Sequence, residues 1–326
     1  MRRRDFIKAI TGSLTAWPFA ARAQQSAVPV VGFLGSASAS PFAPMVAAFQ
    51  DGLNQLGYVD GHNLTVEYHW AEGNYDQLPW LAADLVNRRV AAIVSAGAPA
   101  ALAAKNATTT IPIVFLSGVD PARVGIISAL DHPSANITGV ANLTNGLIAK
   151  QIELLHEALP GTTLIAVLVN RRNPNHVQEI ADTRESQVPL GIKTTILEAS
   201  TMRDLNTAFV KARELQVGAL VVGTDAFFNG VRRELAALAM SNRLPTIHQL
   251  REFVTAGGLM SYGAKLVEAY RSVGLYTGRV LRGEKPADLP IQVSTKFELI
   301  VNLKTAEALD VKIPNSLLSR ADEVIE

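Results

Sequence analysis

The sequence predicts an α/β protein: two doubly wound, Rossmann-like lobes with a central cleft and a hinge of several strands. Three observations carry that prediction. Short β-branched runs bounded by turn residues alternate with longer segments of helical spacing. The same order of segments occurs twice along the chain. Gly- and Asn-rich joins then fall where a chain passing between two bodies needs them.

In the first repeat, VPVVGFL from Val28, VAAIVSAG from Val90 and IPIVFL from Ile111 read as strands. Continuous apolar runs of this length suit parallel strands covered on both faces. Between them, MVAAFQDGLNQL (45–56) and LPWLAADLVNRR (78–89) carry helical spacing, and LTVEYHW supplies a further strand. The second repeat runs LIAVLVN, a helix, PLG ending at Gly191, IKTTILEAS, a helix and VGALVVGTD.

The joins divide the chain. NITGVANLTNG (136–146) ends the first lobe. A return is expected near GGLMSYGAK, with Gly257 and Gly258 before a strand and Tyr262 and Gly263 opening a long helix. A third passage is expected between Val293 and Phe297, ahead of the strand FELIVN. The expected division is 1–23 as a leader, 28–142 with 263–294 as the N-terminal lobe, and 143–262 with 295–326 as the C-terminal lobe. Asn142, Leu143, Tyr262, Gly263 and Thr295 are the hinge candidates. Three passages make a hinge that is stiff in shear but able to bend.

The leader is MRRRDFIKAITGSLTAWPFAARAQQ. Its apolar stretch is interrupted by Gly12, Ser13, Thr15 and Pro18 and falls well short of the roughly 20 residues that span a bilayer. Arg3, Arg4, Phe6 and Lys8 resemble the twin-arginine signature of bacterial Tat signals, and Ala21-Arg22-Ala23 resembles an A-x-A cleavage site. That resemblance implies export by the Tat translocase, cleavage after Ala23 and a periplasmic protein without a lipid anchor.

The formal charge is +1, but the first 23 residues hold five basic residues against Asp5, a net +4, so the remainder carries −3. A nucleic-acid partner is thereby disfavoured, since no excess of positive charge remains to meet a phosphate backbone. The chain has no cysteine, which excludes disulfides, thiolate metal sites, a Cys nucleophile and a lipidated Cys. No cofactor or metal is called for. There is no GxGxxG after the first strand, no phosphate loop, no HExxH and no GxSxG at a strand-to-helix turn. The six histidines are scattered, and catalysis finds no support.

Binding is better supported, because doubly wound sheets hold ligands beyond the carboxyl ends of their strands. Ser36, Ala37 and Ser38 follow the first strand; Ala96, Gly97, Ala98 and Pro99 follow another. Small residues there admit a ligand to backbone N–H groups, and the following helix N-terminus favours a carboxylate; ordinary capping is the competing role. Asp120 is placed to meet an ammonium group or to cap a helix. Asn170 and Asp225 occupy matching places in the second repeat, with Phe227 and Tyr262 as ring contacts; Tyr262 equally suits hinge packing.

From REFVTAGGLMSYGAK onward the sequence resembles a large bacterial family, the ABC-transporter substrate-binding proteins of the tryptophan/tyrosine type. GGLMSYG, GEKPADLP, KFELIVN, IPNSLLSRADEVI, LGYVDGHNLTVEYHWAEGNYDQLP and ANITGV carry the likeness, while DPARVGIISALDHPSAN and DVKIP depart from the usual pattern. The resemblance implies a type I periplasmic binding protein fold acting as a monomer. It also implies capture of a small solute, an aromatic amino acid by the family's name, and delivery to an ABC permease with its cytoplasmic ATPase. Two rival readings are a periplasmic sensor presenting its closed form to a receptor or kinase, and an exported α/β hydrolase.

Overall fold

The computed structural model describes residues 28–129, 136–142, 147–294 and 297–326. The residues expected to form an export signal, Arg3, Arg4, Phe6, Lys8, Ala21 and Ala23, and the hinge candidates Leu143 and Thr295, lie outside the described residues.

The first repeat runs β1 (Val30–Gly35), α1 (Ala43–Asn54), β2 (Thr65–Trp70), α2 (Leu78–Asn87), β3 (Ala92–Ala96), α3 (Ala98–Ala107), β4 (Ile113–Ser117) and β5 (Ile137–Asn142). The second runs α4 (Leu147–Ala158), β6 (Leu164–Val169), α5 (His176–Leu190), β7 (Lys193–Glu198), α6 (Met202–Glu214), β8 (Ala219–Val222), α7 (Ala226–Gly230), α8 (Arg232–Ser241), β9 (Thr246–His248), α9 (Arg251–Thr255) and β10 (Met260–Ala264). The chain ends with α10 (Leu266–Leu281), β11 (Gln292–Ser294), β12 (Phe297–Asn302), α11 (Leu303–Ala308), α12 (Asn315–Leu318) and β13 (Glu323–Ile325).

These strands form two sheets. The first has the order β11-β5-β4-β3-β1-β2 and the second β13-β12-β10-β9-β8-β6-β7. Within them, β2-β1-β3-β4-β5 and β7-β6-β8-β9-β10 are the same doubly wound order, all parallel. The repeat read from the sequence is thus a repeat of topology. Central strands are apolar throughout because helices cover both faces: Val31, Phe33 and Leu34 of β1 and Ile165 to Val169 of β6 are fully buried. Among the described residues, the one antiparallel pairing is that of β12 with β10.

The chain changes sheets three times, after Asn142, after Ala264 and after Ser294. Tyr262 and Gly263, expected to open the long helix, are residues of β10. Their apolar neighbours and their pairing with Leu299 and Glu298 of β12 hold them extended, and the helix begins only at Leu266. NITGVAN, read only as a join, contains the buried strand β5.

Helix α10 returns to the first lobe and crosses α1 at close range. A Cβ on Gly52 would lie 2.1 Å from the Arg271 carbonyl oxygen, and one on Gly274 2.1 Å from that of Phe49. Backbone cannot yield as a side-chain tip can, so both positions require glycine. Helix propensity alone makes Gly→Ala favourable by about 0.5–1 kcal/mol; the contact reverses the sign. Gly274→Ala is therefore expected to lose about 1–3 kcal/mol in chemical denaturation. Gly161→Ala, with nothing within 4 Å of the added methyl, is expected to be near neutral. A stabilised Gly274→Ala protein would disprove the tight crossing.

Candidate functional site

The strand order reverses at β1/β3 in one sheet and at β6/β8 in the other. The loops leaving those four strands face one another across a cavity of about 760 Å³, counting the part open to solvent. That size is within the range of small-molecule sites.

The first lobe supplies a wall of small residues and a wall of rings. Ser36, Ala37, Ala96, Gly97, Ala98 and Pro99 form the former, as the sequence predicts. Gly97 sits at φ 103°, a region closed to most residues, and its missing Cβ leaves room for Ser36, whose Oγ would otherwise lie 2.9 Å away. Ser36 Oγ accepts the Ala100 N–H of α3 (3.2 Å), so it caps a helix as well as lining the cavity. Phe42, Trp70 and Tyr270 make the second wall. Trp70 lies across Gly35, where any Cβ would come within 2.3 Å of the indole, and its ring centroid is 5.2 Å from Phe33 and 6.4 Å from Phe42.

From the second lobe come Asn173, Asn175, Thr224, Asp225, Asn229 and Gln249. Asp225 caps α7, its Oδ1 accepting the N–H groups of Phe227 (2.9 Å) and Phe228 (3.3 Å) and the Asn170 amide (3.1 Å). Its Oδ2 accepts the Asn173 amide (2.8 Å) and the hydroxyl of Tyr75 (2.5 Å), which reaches over from the first lobe. Burial, with the Asp225 charge behind it, holds the Tyr75 hydroxyl well above the usual tyrosine range, so it stays a donor. Two further links cross the cleft at its rim: Arg172 pairs with Asp76, and Arg123 Nη1 donates to Gln178 Oε1 (2.7 Å). The lobes are closed upon each other.

Several amides in this closed space lack partners. Among the described residues, both amide atoms of Asn142 and the Oδ1 atoms of Asn175 and Asn229 are buried without a hydrogen bond. Buried polar groups are normally paired, so within this cavity these atoms stand open to a polar partner, either water or a guest. Asn142, read from the sequence as a hinge residue, contributes to this wall.

The other sequence candidates lie elsewhere. Ser38 is off the cavity wall, 3.8 Å from where a Cβ on Gly230 would stand. Asn170 stands one layer back, bonded to Asp225 and to Ser200 Oγ (2.7 Å). Asp120 caps its own turn through the Ala122 N–H (2.9 Å) and does not reach the cavity. Phe227 packs on Phe228 and against Gly73, because α7 turns its ring toward the core while Ala226 and Asn229 face the cleft. The Tyr262 ring stacks on Phe297 (5.8 Å), its strand directing it into the sheet's packing. Gly263 lies against the Gln249 backbone, where a Cβ would come within 2.0 Å of the carbonyl oxygen. Phe42, Trp70, Tyr75, Asn173, Asn175, Asn229 and Tyr270 escaped sequence reading. Trp70 carried a usable signal: a large ring at the carboxyl end of a strand, just before a loop.

Among the described residues no group of three or more His, Cys, Asp or Glu is placed to hold a metal, and no helix is long and apolar enough to cross a membrane.

A family model of ABC transporter substrate binding proteins matches residues 38–325. The chain belongs to this family. As a substrate-binding protein it is 25% identical, over 264 residues, to a protein named "Tyrosine-binding protein" from Clostridioides difficile (strain R20291), covering 81% of this chain and 76% of that one. Its fold matches a conserved domain protein of Vibrio cholerae (26% identity, TM-score 0.85). It also matches an ABC domain in complex with L-Trp from Streptococcus pneumonia (23% identity, TM-score 0.83). Each of these two covers 91% of this chain and 99% of the other. The fold is that of type I periplasmic binding proteins, as the duplicated lobes imply.

Behind the cavity of this substrate-binding protein, Glu179 is buried and accepts the Thr224 N–H (2.5 Å). Burial pushes its carboxyl up to about 8; the Thr224 bond opposes this, while Asp225 and Asp182 add to it. The folded chain thus keeps a proton that the unfolded chain releases above about 4.5, and stability falls as pH rises from there to about 8. His248 acts at the other end: burial pushes it down to about 3, and its contribution is lost as pH falls below 6.5. Between pH 6.5 and 8 the Glu179 effect stands apart. The melting temperature is expected to fall across that window, and Glu179→Gln, which mimics the protonated acid, to flatten the fall and melt higher at pH 8. An unchanged slope in the variant would refute the assignment.

Proposed function

We propose that this substrate-binding protein captures an aromatic amino acid in the cleft and hands it to a membrane permease driven by a cytoplasmic ATPase. The observation that carries the reading is the composition of the closed cavity. A wall of rings from the first lobe faces a set of buried, unpartnered amides drawn from both lobes. An indole or phenol packs on Phe42, Trp70 and Tyr270; the amino-acid end meets the amides and Asp225. The names of two relatives, one tyrosine-binding and one a tryptophan complex, point the same way.

The energetics suit the role. Burying about 150–250 Å² of ring at about 25 cal/mol per Å² contributes roughly 4–6 kcal/mol. Charge-assisted hydrogen bonds add about 1.5–3 kcal/mol each, against the cost of association. A micromolar dissociation constant needs about 8 kcal/mol. A guest touching both lobes binds the closed form better and shifts the population toward it. The guest is bound and released unchanged in this reading, as the substrate-binding role of the family supports. In this reading the leader sends the folded chain through the Tat translocase to the periplasm, where it works as a monomer.

The test joins ligand screening to one substitution. L-Tryptophan or L-tyrosine is expected to raise the melting temperature by mass action and to compact the protein in solution scattering. Asn142→Leu removes two unpaired polar atoms at similar volume. It should leave the unliganded protein as stable or more so while weakening the amino acid at least about tenfold in calorimetry. No response to either amino acid refutes the ligand assignment, and a destabilised variant with full affinity refutes the role of Asn142.

A further inference from the structure

The charge in the cavity is one-sided. Of the side chains that line it, only Asp225 carries a carboxyl group, and no Glu, Lys, Arg or His is present among those lining residues. Asp225 is 3% exposed, and its five hydrogen-bond donors are all neutral: the Tyr75 hydroxyl, the Asn170 and Asn173 amides, and two backbone N–H groups. Among the described residues it has no ion pair. A buried carboxylate without a counter-charge is costly, and hydrogen bonds alone offset only part of that cost.

Provision for an anion is much thinner. The N-terminus of α3 is largely spent: the Gly97 N–H donates to the Leu116 carbonyl (2.9 Å), the Ala100 N–H to Ser36 Oγ (3.2 Å), and Pro99 has none. The unpartnered Oδ1 atoms of Asn142, Asn175 and Asn229 are three acceptors, suited to a head group rich in N–H donors, against a single unpartnered amide donor in the cavity wall among the described residues, Asn142 Nδ2.

Resting on the aromatic-ligand reading above, we propose that the obligatory polar group of the guest is its ammonium, with Asp225 supplying the counter-charge, and that its carboxylate is dispensable. The site then takes arylalkylamines as well as aromatic amino acids, and it discriminates against arylalkyl acids. An acid brings a second carboxyl group into a space whose lining already holds that of Asp225 and no basic side chain. An amine brings the cation that space lacks.

Two ligand series, each differing by one charged group, decide the matter. Calorimetry at pH 7 with the purified protein compares L-tryptophan, tryptamine and 3-indolepropionate, and likewise L-tyrosine, tyramine and 3-(4-hydroxyphenyl)propionate. The amine is expected to bind at least about tenfold more tightly than the matching acid, the worth of one charge-assisted contact. An acid that equals or exceeds its amine, while the amino acid still binds, overturns the inference and leaves the amino-acid reading standing. Binding of the amine without the amino acid does the reverse, and silence from all six removes both. Asp225→Asn keeps an oxygen for the α7 cap and removes the charge. It should erase the preference for amine over acid, and a preserved preference overturns the assignment to Asp225. Should that variant fail to fold, the wild-type ranking alone decides.

Discussion

The two lobes meet on a buried carboxylate. Asp225 sits at the carboxyl end of β8, is held by the N–H groups of its own helix, and takes its last donor from Tyr75 of the opposite lobe. Removing a carboxylate from water is expensive unless donors surround it. The Tyr75 hydroxyl belongs to the first lobe, so the full set of donors around that carboxylate is drawn from both sides of the cleft.

The contacts at the rim weigh less. Arg172–Asp76 is an exposed pair, with 43% and 77% of the two side chains accessible. Pairs of that kind contribute about 0–1 kcal/mol and are screened by salt. They steady a closed form that the buried contacts favour, but cannot hold it alone. At the passages between the sheets, β5 and β11 pair in the first sheet and β10 and β12 in the second, so strands leaving and re-entering each lobe lie side by side.

Parts of the site were legible because their position follows from topology. Ser36 and Gly97 stand where the strand order of one sheet reverses, Asp225 where that of the other does, and such places are found by recognising strands and counting them. Phe227 and Tyr262 misled for the complementary reason. An aromatic residue near a strand end is visible in sequence, but whether its ring faces the cleft or the core depends on a rotation of one residue about the helix or strand. Phe227 turned inward onto Phe228, and the neighbouring Asn229 took the cleft. Tyr270 lies far along the chain from the first repeat and reaches the wall only because α10 crosses back onto α1.

What the chain determined by itself is the alternation, the duplication and the placing of small-residue loops at strand ends. These are properties of short windows, set by apolar periodicity and turn chemistry within a few residues of each position. What the tertiary structure decided is convergence: that Tyr75 closes on Asp225, that Trp70 lies over Gly35, and that amides from β5, α7 and the loop before α5 open into one cavity. Those outcomes depend on how two lobes approach after three passages of the backbone, and no local window of sequence carries the information for a contact between residues 150 positions apart.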